Sequence, residues 1–275
     1  MSMPFYMSPE QTMRDKADYA RKGVARSRSS VALQYTGGIL MVTPNVSSVL
    51  HKISEIYDRI AFAAVGRYNE YEVLRKAGVT YADVTGYQFD RGDVTGRGLA
   101  NWYAQALGQN FSEPAGKPYE VEIVVAEVGL TPDADQIYRI SWDGSVSDEP
   151  GFVAFGGQAD QVAAALKERF ADGLSLTEAL AAALEALAAP SSGATNGSQP
   201  DLTAANLEVA ILDRARAHRT FRRLTGPRLE ELIAQARATP SEPEAPAESA
   251  ESAETPGSTD EPSTGPSTTG DGIPK

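Results

Sequence analysis

The stretch SSVALQYTGGILMVTP, residues 29–44, holds two branched, apolar runs separated by Thr36, Gly37 and Gly38. It reads as two buried strands joined by a tight turn. Residues 53–66, ISEIYDRIAFAAVG, form a third apolar run that stops at Gly66. Three antiparallel strands in succession make a sheet that must be covered. The cover follows at once. One helix begins near Asn69, and another runs from Thr95 with Leu99, Trp102, Tyr103 and Leu107 along one face.

Further along, YEVEIVVAEVG (119–129), QIYRISWDG (136–144) and GFVAFGG (151–157) read as strands. Two helices come next. The first carries Val162, Leu166 and Phe170 at four-residue spacing, and the second opens with a capping box, Ser175 and Glu178. Residues 190–201 read as a Gly/Ser-rich loop, after which NLEVAILD and HRTFRRLTG form a last strand pair and Pro227 begins a closing helix. Helices thus arrive in pairs between groups of antiparallel strands. Two sheets stacked face to face with helix pairs outside would bury every apolar stripe, so the expected fold is a four-layer α/β/β/α sandwich.

Composition narrows the function classes. The chain has 275 residues, no cysteine and two histidines, His51 and His218, which excludes a disulfide scaffold, a thiolate site and a histidine-rich metal centre. No metal and no cofactor are expected. A net charge of -12 opposes non-specific binding to nucleic acid or anionic membrane. Seven of those excess negative charges fall in residues 239–275, an acidic Pro/Ser/Thr-rich tail that lacks aromatics and is expected to be disordered. The folded part is therefore expected over 9–238. No stretch reaches the ~20 apolar residues that span a bilayer, and a cytoplasmic location is expected.

The chain begins MSMPFYMSPEQTMRDKADYARKG. Ser8 before Pro9, with Gln11 three residues on, marks a helix start, and Gly23 marks its stop. Met13, Ala17, Ala20 and Val24 trace a narrow apolar seam. Nothing in this pattern explains the greasy residues ahead of the cap.

Four segments, SPEQTMRDKADYARKGVARSRSSVAL (8–33), HKISEIYDRIAFAAVGRYNEYEVLR (51–75), DRGDVTGRGLANWYAQALG (90–108) and KPYEVEIVVAEV (117–128), carry a resemblance. The chain resembles the proteasome family, and in detail its actinobacterial α subunits, over nearly all of residues 1–238. The family's fold, N-terminal-nucleophile-hydrolase-like, is this same sandwich. The resemblance implies a seven-membered ring of copies of this chain, capping the rings of a separate proteolytic β subunit in a particle that degrades unfolded proteins. It implies that Ser2, Met3, Pro4, Phe5, Tyr6, Met7 and Ser8 converge on the ring axis as a gate. It also implies that Lys52 and Gly66 belong to a pocket between neighbouring subunits where the C-terminal carboxylate of an AAA ATPase activator docks; an ammonium supplies the charge-assisted bond such recognition needs.

Catalysis by this chain itself is not expected. In the family's catalytic siblings a freed N-terminal threonine is the nucleophile and a lysine tunes it. Here Pro44 and Asn45 stand where the siblings' Asp-Lys pair would be, and SRSSVAL has no Gly-Thr processing junction. The alternatives are a self-processing hydrolase of the same fold, with Ser30 or a nearby hydroxyl as nucleophile, and a free-standing homo-oligomeric scaffold. No G-x-S-x-G elbow supports a serine triad. The cluster Arg214, Arg216, Arg219, Arg222 and Arg223 reads as a solvated or intersubunit face rather than a nucleic-acid surface.

Overall fold

The computed structural model describes residues 8–192 and 202–238. Ten strands and six helices follow one another among them as α1 (Pro9–Ala25), β1 (Ser30–Tyr35), β2 (Gly38–Pro44), β3 (Ile53–Tyr57), β4 (Ile60–Gly66), α2 (Tyr68–Gln88), α3 (Gly96–Ser112), β5 (Val121–Glu127), β6 (Gln136–Ile140), β7 (Val146–Asp148), β8 (Phe152–Phe155), α4 (Ala159–Arg169), α5 (Leu176–Ser192), β9 (Leu207–Asp213), β10 (Phe221–Leu224) and α6 (Pro227–Ala238). The strands form two antiparallel five-stranded sheets, ordered β10-β9-β2-β1-β8 and β3-β4-β5-β6-β7.

The apolar runs are continuous because both faces of each sheet are covered. In β4, Ile60, Phe62 and Ala64 face the helix pair α2 and α3, whereas Ala61, Ala63 and Val65 face the other sheet. In β9, Leu207, Val209 and Ile211 face α4, α5 and α6, whereas Ala210 and Leu212 turn between the sheets. The α/β/β/α sandwich expected from the sequence is the one observed.

Beside the short strand β7, which the sequence reading did not include, four details differ from that reading. Residues 53–66 are two strands, not one, because Asp58 and Arg59 turn the chain between Tyr57 and Ile60. Neither strand joins the sheet of β1 and β2; the hairpin starts the second sheet instead. Helix α5 runs on to Ser192, beyond the expected break at Pro190. The rest of that loop lies outside the described residues, as do residues 2–7, expected to form a gate, and the tail 239–275, expected to be disordered.

The fourth difference is in α1, which continues through Gly23 to Ala25. Ser8 caps it as expected, its hydroxyl accepting from the Gln11 amide at 3.2 Å, but the Gln11 side chain donates onward to Asp15 (2.9 Å) rather than back to the cap. The inward face carries Lys16 with Ala20 and Val24, while Met13 is exposed. Lys16 Nζ donates to the Phe111 carbonyl at 3.3 Å and to that of Glu113, satisfying carbonyls that α3 leaves open at its C-terminus. The apolar stem of Lys16 lies within the seam, which an apolar-only periodicity cannot register.

Candidate functional site

The segment between β2 and β3 is folded by its own polar side chains. Asn45 accepts the Ser47 amide (3.0 Å) and donates to the Leu50 carbonyl (2.8 Å), and Ser47 Oγ accepts the Leu50 amide at 3.0 Å. Such local bonds offer the backbone an alternative to a ladder. They leave Val46 and Val49 pointing outward, 71% and 76% exposed, immediately ahead of Lys52.

Lys52 is half-buried where β3 begins. Its carbonyl accepts the Ala64 amide at 3.0 Å, which sets it beside β4 two residues before Gly66. The two residues singled out for docking are thus brought to the same end of one hairpin. Lys52 Nζ donates to the Pro44 carbonyl at 3.1 Å and forms no ion pair among the described residues. Burial lowers the ammonium below the ordinary lysine range, the Glu208 charge works against that, and the neighbouring Arg28 charge adds to it. A half-buried, carboxylate-free ammonium beside an exposed apolar loop suits an incoming carboxylate with an apolar segment behind it.

Gly66 has a reason of its own to be glycine. Its φ is +108°, and a β-carbon there would lie 1.9 Å from the Glu120 carbonyl oxygen on the paired strand β5. Just beyond it, Arg67, Glu70, Lys117 and Glu120 form a charge cluster: Lys117 Nζ bonds Glu120 Oε1 at 2.8 Å and also Glu70, and Glu70 Oε2 accepts the Glu120 amide at 2.7 Å. Burial alone would raise the Glu120 carboxyl, but the bonds from Lys117 and Tyr19 outweigh it and hold the group below its usual range. Tyr19 belongs to α1, and the Lys117 ammonium lies 5.6 Å from its ring centroid. The hairpin end is thereby tied to α1.

Of the remaining candidates, His51 and Arg223 reach this site through Glu208, which accepts the Lys52 amide. Ser30 is 2% exposed, and its hydroxyl shares a hydrogen bond of 2.6 Å with the Thr43 hydroxyl. His51 Nδ1 faces Glu208 at 3.4 Å and His218 Nδ1 faces Asp58 at 3.6 Å. The arginine cluster is mostly spoken for within the chain: Arg214 pairs with Asp135 (2.7 Å), Arg219 with Glu55 (2.9 Å), Arg222 with Asp213 (3.4 Å) and Arg223 with Glu208. Arg21 and Asp18 pair with each other at 3.2 Å. Among the described residues no group of three His, Asp or Glu side chains could hold a metal ion, and no helix is long and apolar enough to cross a membrane.

Sequence reasoning missed Arg28 and Glu208. Arg28 left no signal. Glu208 did: it is the single charge before Asp213 in the strand LEVAILD, which is otherwise apolar and buried on both faces.

Residues 24–205 match the Proteasome subunit family. Proteins named proteasome subunit alpha are similar over most of the chain. The one from Thermomonospora curvata is 64% identical over 235 residues, 86% of this chain and 99% of its own length. That of Streptosporangium roseum is 63% identical over 254 residues, 90% of this chain and 95% of its own, and that of Thermobifida fusca is 62% identical over 236 residues, 86% and 92% respectively.

Proposed function

The chain belongs to the proteasome subunit family, and on that premise we propose that it is the non-catalytic α-ring subunit of a threonine-type protease particle. Seven copies form an outer ring stacked on a ring of the β subunit, which supplies the peptidase. Residues 2–8 close the axial pore, and an AAA ATPase activator docks its C-terminal carboxylate at Lys52 beside Gly66 to admit unfolded protein.

The observation that carries the assignment is the identity to α subunits over nearly their whole length. Two features of the chain support the finer parts. The Lys52 ammonium has no carboxylate among the described residues, as a docking cation requires. Ser30, the rival nucleophile, is buried, bonded to Thr43, and preceded by the 17-residue helix α1 rather than by a free amine.

Co-expression of this chain with the β subunit of the same cells, followed by size separation and peptide hydrolysis, tests the reading. Activity confined to a large particle containing both chains is expected. Peptidase activity from this chain alone, with the chain cut ahead of Ser30, would contradict it.

A further inference from the structure

Glu208 is 6% exposed, and its carboxylate points from β9 in the first sheet toward the start of β3 in the second. One oxygen, Oε2, accepts the Asn45 side-chain amide at 2.8 Å and the Lys52 backbone amide at 2.9 Å. The other, Oε1, accepts the Ile53 amide at 3.1 Å and bonds Arg223 of β10. Arg223 then donates through Nη2 to the Ile53 carbonyl at 2.7 Å. One carboxylate and guanidinium pair on the first sheet therefore holds both peptide groups of Ile53 on the second.

This arrangement has two effects on Lys52. A carboxylate offers about four acceptor sites, and four donors already converge on Glu208, so the acid beside Lys52 is saturated by groups other than its ammonium. The same carboxylate fixes the Lys52 backbone directly and, through Asn45, the end of β2 that presents the Pro44 carbonyl on which Nζ rests. Backbone and tip of Lys52 are thus both referenced to one buried group.

We infer that Glu208 and Arg223 are positioning residues of the docking site: they hold the Lys52 ammonium at the Pro44 carbonyl and keep Glu208 from neutralising it, so that it pairs with a peptide carboxylate instead. This rests on the docking role of Lys52 proposed above. Loss of Arg223 frees one lobe of Glu208, and the freed lobe competes for the ammonium. Loss of the Glu208 charge releases the amides of Lys52 and Ile53 and the Asn45 side chain together.

The test uses the assembled particle and two labelled peptides with the last ten residues of the ATPase activator from the same cells, one ending in a free carboxylate and one in an amide. The affinity ratio of carboxylate to amide is the readout, because a general loosening of the fold weakens both peptides alike. Glu208→Gln and Arg223→Gln are each expected to lower that ratio by roughly tenfold, the scale of one charge-assisted hydrogen bond. Asn45→Ala, at the surface end of the network, is read if either variant does not assemble, and a two- to threefold drop, roughly, is expected there. A ratio abolished by Lys52→Ala but unchanged in Glu208→Gln, Arg223→Gln and Asn45→Ala overturns the positioning role and leaves the docking role standing. A wild-type particle that binds both peptides equally, or a ratio unaffected by Lys52→Ala, overturns the docking role and this inference with it.

Discussion

Gly23 of α1 lies so close to Glu120 that a β-carbon at Gly23 would fall 2.4 Å from Glu120 Oε2 and 2.6 Å from its Cβ and Cγ. Glycine in a helix interior costs about 1 kcal/mol relative to alanine. It is retained here because the helix packs directly on a side chain already committed to Lys117. Gly23→Ala is therefore expected to destabilise the particle by about 1–3 kcal/mol despite its better helix propensity. Thermal unfolding checks this; an unchanged or raised midpoint would show that Glu120 yields without cost.

Gly66 meets the same residue from the other side. Its positive φ and its 1.9 Å clearance to the Glu120 carbonyl leave no rotamer to adjust, since the obstacle is the backbone of a paired strand. Gly66→Ala is expected to cost at least about 3 kcal/mol and to lower soluble yield sharply. Normal yield and midpoint would mean that the hairpin end is softer than its hydrogen bonds indicate.

Lys52 is expected to set an alkaline limit on activator docking. Burial, with help from Arg28, holds its folded-state pKa below the ordinary lysine value of 10.5. The ammonium is fully charged below that depressed pKa and is lost as pH rises through it, earlier than an ordinary lysine would lose its charge. Activator-stimulated degradation should fall across that window. Lys52→Arg, whose guanidinium stays charged, should keep whatever stimulation it retains to higher pH, and Lys52→Ala should weaken stimulation about tenfold at neutral pH while the particle still assembles. Stimulation by Lys52→Ala equal to wild type would remove Lys52 from docking.

If residues 2–7 close the pore as proposed, deleting them while keeping Ser8 as the α1 cap should raise hydrolysis of a small fluorogenic peptide by the assembled particle, since the helix cap is kept. Deleting Ser8 as well should further loosen α1 by about 1 kcal/mol. Hydrolysis unchanged by either deletion would count against a gate at this terminus.

The sandwich was legible because its strands are apolar on both faces, which only a sheet covered twice can accommodate. The hairpin of β3 and β4 was not, since its bend offers one turn-favouring residue, Asp58, with no Gly or Pro beside it. Lys16 and Glu208 escaped for a related reason: each is a charge inside an apolar pattern, and its meaning depends on partners 95 and 156 residues away in sequence, the Phe111 carbonyl and the Lys52 amide. Gly23 looked like a helix end because packing against Glu120 leaves no local trace. For the proposed docking site, Lys52 and Gly66 come from a family likeness. What holds them, Glu208 with Arg223 and the Glu120 cluster, came only from the fold.

Native mass spectrometry of the particle purified through this chain from its own cells tests the central claim most directly. The account predicts an assembly of two subunit kinds in equal number, in which this chain keeps the residues ahead of Ser30 and the second chain begins with threonine. A monomer, an assembly of this chain alone, or a form of this chain cut just before Ser30 would contradict it.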